Sequence, residues 1–334
     1  MSELRRDPVD GRWVIIATER RKRPVDFYTQ AYEQKGAEKC PFCEGHEAQT
    51  PPEIFSIREG AGAPNTPGWR VRVIPNKFPA LRIEGELHRE GVGYFDRMSG
   101  TGAHEVIIES PRHDVTRATM DLSDIEHVYR AYRERIVDLR HDRRFKYVML
   151  FKNYGEAAGA SLAHPHSQLI ALPILPKHIV EEMNGSREYY QYKERCIFCD
   201  IIQQETDMEE RIVCQNEGFI AVSPWAPIFP FEVWILPKSH DSCFEDCNPA
   251  QLKNLAAISN EVHKRLDAAL RRPHYNSILH TSPFDEQYNN YYHWHIEIMP
   301  RLTRIAGFEY GSGFYINPVL PEEAAEFLRE MDVG

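Results

Sequence analysis

The chain has 334 residues, long enough for one large core or two moderate ones, and its 42% hydrophobic and 27% charged residues are ordinary for a soluble protein. A formal net charge of -10 argues against a general nucleic-acid binder, which carries a basic surplus, but leaves room for a local basic pocket. No run of about eighteen apolar residues exists to span a bilayer, and Met1-Ser2-Glu3-Leu4-Arg5-Arg6-Asp7-Pro8 lacks an apolar signal core, so no membrane association and a cytoplasmic location are expected.

Trp13-Val14-Ile15-Ile16-Ala17 reads as a strand. The densest cationic run, Arg20-Arg21-Lys22-Arg23, follows it. That run is either a solvated charge cluster or a phosphate clamp, because guanidinium forks match phosphate oxygens. Cys40-Pro41-Phe42-Cys43 comes next, and a second pair stands at Cys196-Ile197-Phe198-Cys199. Three further cysteines, Cys214, Cys243 and Cys247, complete the seven, and the last two are read as ordinary thiols. Without a signal peptide such pairs favour metal over disulfides. Ser123 and Glu126 form a capping-box signature, followed at helical spacing by Ile125, Val128, Tyr129, Tyr132, Ile136 and Leu139. Tyr147–Lys152 reads as a strand, a small-residue loop follows, and His164-Pro165-His166-Ser167-Gln168 leads into a second strand ending at Leu172. Strand residues two apart share a face, so His164, His166 and Gln168 are expected to point the same way. The stretch from Pro173 to Glu194 reads as a connection. Beyond it, Asn248 is a candidate N-cap with Pro249 at the first helical position, and Leu252, Leu255, Val262 and Leu266 form the apolar stripe.

The chain repeats itself. Each half opens with C-x-x-C, continues through a run ending in histidine (His113, His240) and closes with H-x-H (His164 and His166; His293 and His295). The separations His113 to His164 and His240 to His293 are 51 and 53 residues. The expected architecture is therefore α+β, with a catalytic half over 1–175 and a second half over 190–334, each an antiparallel sheet covered by helix. Tetrahedral zinc takes four thiolate and imidazole ligands. Cys40, Cys43, His113 and His164 would form one closed, structural site, and Cys196, Cys199, His240 and His293 the other. His46 and His104 are rival ligands with no counterpart in the repeat.

With His164 on the metal, His166 remains free on the same face. Neutral imidazole is a good nucleophile toward phosphorus and a good leaving group once protonated, which suits two-step nucleotidyl transfer. Ser161 and Gln168 can donate hydrogen bonds to phosphoryl oxygens without adding charge. Gly155 and Gly159 let the loop pass close to a ligand, and Asn153 at the strand end can help hold the same group. In the second half Glu297 stands where Gln168 does, and a carboxylate there would repel a phosphate. That half is expected to have left chemistry while keeping its metal site.

These residues resemble the histidine-triad superfamily in its galactose-1-phosphate uridylyltransferase branch, through His164-Pro165-His166-Ser167-Gln168. Hydrolases of the superfamily carry a third histidine at the Gln168 position, so glutamine looks like the transferase version. The resemblance implies two histidine-triad-like halves. It also implies ping-pong transfer of UMP from UDP-glucose to galactose 1-phosphate through uridylyl-His166, with no metal in the chemistry, and a homodimer. It places Arg20 and Arg23 of R-x-x-R-P on nucleotide phosphates, Asn76 of Asn76-Lys77-Phe78-Pro79-Ala80 near the nucleoside, and Asn153, Ser161 and Gln168 on phosphate. Two departures matter. Gly159-Ala160-Ser161-Leu162-Ala163 replaces the usual G-C-S-N, and the tail Gly307–Pro318 resembles the branch that includes ADP-glucose phosphorylases, where ADP-sugar and inorganic phosphate are the substrates. In that tail Gly311 and Gly313 either fold over the sugar phosphate or make a plain glycine turn.

Overall fold

Val- and Ile-rich runs become strands throughout, and ten of them join in one sheet. The computed structural model describes residues 2–20, 27, 36–284 and 288–333. Before the first long helix stand β1 (Glu3–Arg6), β2 (Trp13–Ile16), β3 (Phe55–Arg58), β4 (Trp69–Pro75), β5 (Glu90–Val92), β6 (Phe95–Arg97) and β7 (Ala103–Ile108). Then come α1 (Leu122–Arg140), β8 (Tyr147–Tyr154), β9 (His166–Leu172), α2 (Lys177–Lys193) and α3 (Ile197–Met208). The remainder holds β10 (Ile212–Gln215), β11 (Phe219–Val222), β12 (Val233–Pro237), α4 (Pro249–Leu270), β13 (Tyr275–His280), β14 (His295–Pro300), α5 (Gly307–Ser312), β15 (Tyr315–Asn317) and α6 (Pro321–Arg329).

The large sheet runs β10-β11-β12-β14-β13-β8-β9-β7-β4-β3, antiparallel throughout. Outward from the β8–β13 seam it reads β8-β9-β7-β4-β3 one way and β13-β14-β12-β11-β10 the other, so the same five-strand order occurs twice. This is the α+β architecture the repeat foretells, with the two sheets fused edge to edge, which pairs two edges that would otherwise be open. A small sheet, β1-β2-β15, joins the start of the chain to its end, and Arg5 donates to Glu322 on α6 at 2.8 Å.

One face of the large sheet is buried by α1, α4 and α6, which share a core with Val73, Ile107, Leu169, Ala221, Ile235 and Ile296. Ile125, Val128 and Ile136 of α1 are fully buried, and truncating one such side chain to Ala typically costs about 2–5 kcal/mol. Asn248 caps α4 through a complete capping box with Gln251. The expected box at Ser123 is not formed. Helix α1 already begins at Leu122, Asp121 takes the N-cap position, and no side chain caps it. The stretch read as a connection is also corrected, since most of Pro173–Glu194 is α2. Its charged and tyrosine-rich face conceals Ile179 and Met183, which cover the second half together with Ile197, Phe198 and Ile202 of α3. No helix among the described residues is long and apolar enough to cross a membrane.

Candidate active site and cation centres

The face of the first half not covered by α1 carries most of the candidate site residues. His104, Val106 and Ile108 of β7 alternate on it, opposite Ile170, Gln168 and His166 of β9. Ile74 of β4 lies opposite Val106, and Asn76 follows one residue after that strand. Here β9 begins at His166, so His164 precedes the strand, although both rings lie beside Phe42, with centroids 6.1 and 5.4 Å away. A cavity of about 870 Å³ opens over this face, lined by Phe42, Asn76, Phe78, Ser161, His166 and Gln168 among others.

The backbone settles His166's tautomer. Its Nδ1 lies 2.7 Å from the His164 carbonyl oxygen, which can only accept, so Nδ1 carries the proton and Nε2 keeps its lone pair. Burial, with the Lys152 ammonium nearby, pushes the imidazole below its ordinary value, which favours the neutral ring. Ser161 is exposed on the loop at the cavity rim. Gly159 sits at φ +86°, a backbone region that suits glycine, and faces the Asn153 carboxamide. Asn153 is itself held from the other half, accepting from Asn276 Nδ2 at 2.8 Å. Gly155 (φ +82°) abuts the His274 ring of β13's approach: a Cβ there would lie 2.1 Å from its Nδ1. The close approach foreseen for this glycine is thus to the second half.

Beneath His166, on the α1 face, lies a buried ionic network. Glu109 accepts from Arg117 at 3.0 Å, Lys152 at 2.7 Å, Tyr132 at 2.9 Å and Ser167, and Lys152 also donates to the His166 carbonyl at 3.1 Å. Burial alone would raise the Glu109 carboxyl, but the Arg117 and Lys152 charges hold it well below the usual range. These residues were missed in the sequence because each looks like a surface charge; only Lys152 on the strand before the H-P-H element hinted at them.

Both expected thiolate–imidazole sets are assembled. Cys40, Cys43, His113 and His164 bring their ligand atoms within 4.8 Å of one another, as do Cys196, Cys199, His240 and His293. Cys43 Sγ lies 3.5 Å from Nδ1 of both His113 and His164, and the two Nδ1 atoms are 3.3 Å apart. Cys199 Sγ lies 3.4 Å from His240 Nδ1 and 3.7 Å from His293 Nδ1. The far ring nitrogens donate to backbone carbonyls: His164 to Ser110 (2.7 Å), His240 to Asn289 (2.9 Å) and His293 to Pro237 (2.9 Å). Those bonds leave each Nδ1 lone pair facing the thiolates. The rivals belong elsewhere. His46 Nδ1 meets the Cys40 carbonyl at 2.6 Å, and His104 lines a neighbouring pocket of about 590 Å³.

A third group, Glu182, His280, His295 and Glu297, is also close enough to hold a cation. His280 bridges Glu182 (3.0 Å) and Glu297 (3.5 Å), and despite burial these carboxylates raise its pKa. Sequence reasoning passed it over because Glu182 was assigned to a connection. Of the remaining expected residues, Arg20 ends a 3-10 turn, Thr18–Arg20, and Arg23 lies outside the described residues. Gly311 lies in α5 and Gly313 caps it in the left-handed region; neither lines the His166 cavity.

Comparison with known proteins agrees with this geometry. Residues 1–176 match the model for the N-terminal domain of galactose-1-phosphate uridyl transferase, and residues 182–333 match that for its C-terminal domain. The chain belongs to the galactose-1-phosphate uridyl transferase family. Among family members, the ADP-glucose phosphorylase of Arabidopsis thaliana is 35% identical over 99% of this chain and 93% of its own. The galactose-1-phosphate uridylyltransferase of Thermotoga maritima is 31% identical over 100% and 99%. The crystal structure of the Arabidopsis thaliana ADP-glucose phosphorylase with bound ADP-glucose superposes with a TM-score of 0.85 at 33% identity, covering 100% of both chains. A solved uridylyltransferase reaches 0.76 at 27%, covering 98% and 97%.

Proposed function

We propose that the protein is a hexose-1-phosphate uridylyltransferase working through a nucleotidyl-His166 intermediate. The observation that carries this is the neutral imidazole of His166, its Nδ1 proton committed to a carbonyl, in a cavity lined by amides, hydroxyls and the lysines Lys39 and Lys77 but, among the described residues, by no carboxylate. In the first step His166 Nε2 attacks the α-phosphorus of UDP-glucose. The bond to the departing phosphate oxygen breaks, its electron pair leaves with glucose 1-phosphate, and uridylyl-His166 remains. Galactose 1-phosphate then attacks the same phosphorus, and the N–P electron pair returns to the ring. Gln168, Ser161 and Asn153 serve as neutral donors to phosphoryl oxygens, stabilising charge that develops in transfer. Asn76 binds near the nucleoside, Gly159 lets the loop approach the phosphate, and Arg20 and Arg23 hold nucleotide phosphates. Gly311 and Gly313 let the tail fold over the sugar phosphate, and the protein acts as a homodimer. The reading places catalysis in the half 1–175, with the half 190–334 as its support, in the cytoplasm.

Zinc fits the two thiolate–imidazole sets. With Zn–S near 2.3 Å and Zn–N near 2.0–2.1 Å, tetrahedral edges come to roughly 3.5 Å for S to N and roughly 3.3 Å for N to N, against 3.5 and 3.3 Å in the first set. Its part there is to anchor distant loops and fix the backbone that holds His166. The resemblance to the Arabidopsis ADP-glucose phosphorylase supports a second reading, adenylyl transfer from ADP-glucose to inorganic phosphate through the same histidine. Purified protein given UDP-glucose with galactose 1-phosphate, or ADP-glucose with phosphate, separates them. UDP-galactose in the first mixture establishes the uridylyltransferase; turnover only in the second moves the protein to the phosphorylase. Two zinc ions per chain are expected, falling to one in Cys40→Ser with a lower melting temperature.

A further inference from the structure

His104 has no place in the cation centres; it lines a pocket beside the His166 cavity, and the two share Asn76. Three contacts define its state. The Ala80 backbone N–H donates to His104 Nδ1 at 3.0 Å, so Nδ1 carries a lone pair and the ring's proton is on Nε2. Nε2 lies 2.9 Å from Gln168 Oε1, and that oxygen is the atom able to accept the proton. Nε2 also lies 3.1 Å from Asn76 Nδ2, whose amide is oriented by its Oδ1 accepting from the Phe78 N–H at 2.9 Å. A neutral ring cannot accept at both nitrogens, so the Asn76 NH2 finds no lone pair on His104 and keeps its hydrogens for a ligand.

We infer that His104 is a positioning residue that turns the carboxamide of Gln168 so that it presents its N–H group to the nucleotide, beside the Asn76 N–H that the Phe78 backbone orients. The strand geometry makes this possible. His104 stands opposite Ile170, one same-face position along from Gln168, so the two form a diagonal cross-strand pair, within reach for long side chains. An unanchored carboxamide can flip at little cost and present its oxygen to a phosphoryl oxygen, which repels. The Nε2–H bond removes that option for Gln168. Steric packing is supplied separately by Val106 and Ile74 on the same face.

The inference rests on the proposed transfer through His166, and its test separates the two. His104→Phe keeps the ring volume but loses the donor. It should slow nucleotidyl-enzyme formation on the order of 10-fold at saturating nucleotide sugar, with KM unchanged within about twofold. His104→Gln restores an N–H near the Nε2 position and should recover most of the rate. In a Gln168→Ala background His104→Phe should have little further effect. Equal losses in both backgrounds, or no rescue by His104→Gln at a wild-type melting temperature, would overturn the assignment. If wild-type protein forms no nucleotidyl-enzyme from UDP-glucose or ADP-glucose, the transfer reading fails. In that case nitrogen-15 NMR of the histidine rings decides for His104: an Nε2-protonated ring whose signal moves in Gln168→Ala supports the bond, and an Nδ1-protonated ring refutes it.

Discussion

The two halves share strand order, a thiolate–imidazole set and an H-x-H entry into the central strand, yet they treat the second histidine in opposite ways. His166 lines a cavity of about 870 Å³, whereas His295 faces one of about 190 Å³. Helices α2 and α3 lie over the second half, and the turn at Asp7–Arg12 closes the same cavity; that turn presses so near α2 that a Cβ on Gly185 would lie 1.7 Å from the Val9 carbonyl. The polar groups differ as well. Ile278 pairs with Glu297 as Phe151 pairs with Gln168, which puts His280 where Asn153 stands. Glu232, one residue before β12, falls diagonal to Glu297 as His104 is to Gln168. Burial and the Glu297 charge push Glu232 up to about 8. Amides and two lysines thus line the cavity of one histidine, whereas the ionised Glu182 and Glu297 stand beside the other. A phosphoryl group is tolerated by the first and repelled by the second. In the second half a cover of helices goes together with a change of charge, while the thiolate–imidazole set is kept.

The largest expected effect breaks the comparison directly. His166→Gly should abolish transfer, on the order of 10⁴-fold or more, with zinc content and fold retained. His295→Asn should leave the transfer rate of folded protein within about twofold. Steady-state rates and metal analysis on both variants check this, and loss of activity in His295→Asn would show that the second half takes part in chemistry.

A second effect concerns the Glu109 network, on the other side of the sheet from the cavity. Glu109 has a folded-state pKa held well below the unfolded value of about 4.3. Its stabilisation is therefore fully present above that unfolded value and is lost as pH falls toward the folded one. Glu109→Gln should destabilise the protein by about 3–5 kcal/mol at neutral pH, because Arg117 and Lys152 then face a neutral amide in a dry interior. The gap should narrow below about pH 4.3. Denaturant melts at several pH values measure it, and a constant gap would mean the carboxylate is not the ionised partner.

The sequence carried the thiolate–imidazole sets and His166 because duplication gives each residue a partner at matching spacing. Apolar stripes likewise exposed α1 and α4. Long-range charge pairing was not legible: Glu109 meets Arg117 and Lys152 only once β7, β8 and β9 are side by side. Nor was α2, since its polar composition hides the few buried positions that dock it. Ser123 misled because a capping signature is local, whereas the true start of α1 is set by where Ile125 and Val128 must meet the sheet. His104 could have been suspected from alternation, being two residues before Val106 on an inward face, but its partner Gln168 lies 64 residues away.

The smallest effect compares the two covering helices at their first turns. Four backbone N–H groups are unpaired at any helix start. In α4 the Asn248 side chain accepts from Gln251 N at 3.0 Å, and Gln251 returns the bond at 2.8 Å. In α1 neither Asp121 nor Ser123 caps the helix through its side chain. Asn248→Ala should therefore lower stability by about 1 kcal/mol, while Ser123→Ala should stay within about 0.5 kcal/mol. Chemical denaturation of both variants tests this. If Ser123→Ala proved the costlier of the two, the first helix would begin later than Leu122 and its register on the sheet behind His166 would have to be redrawn.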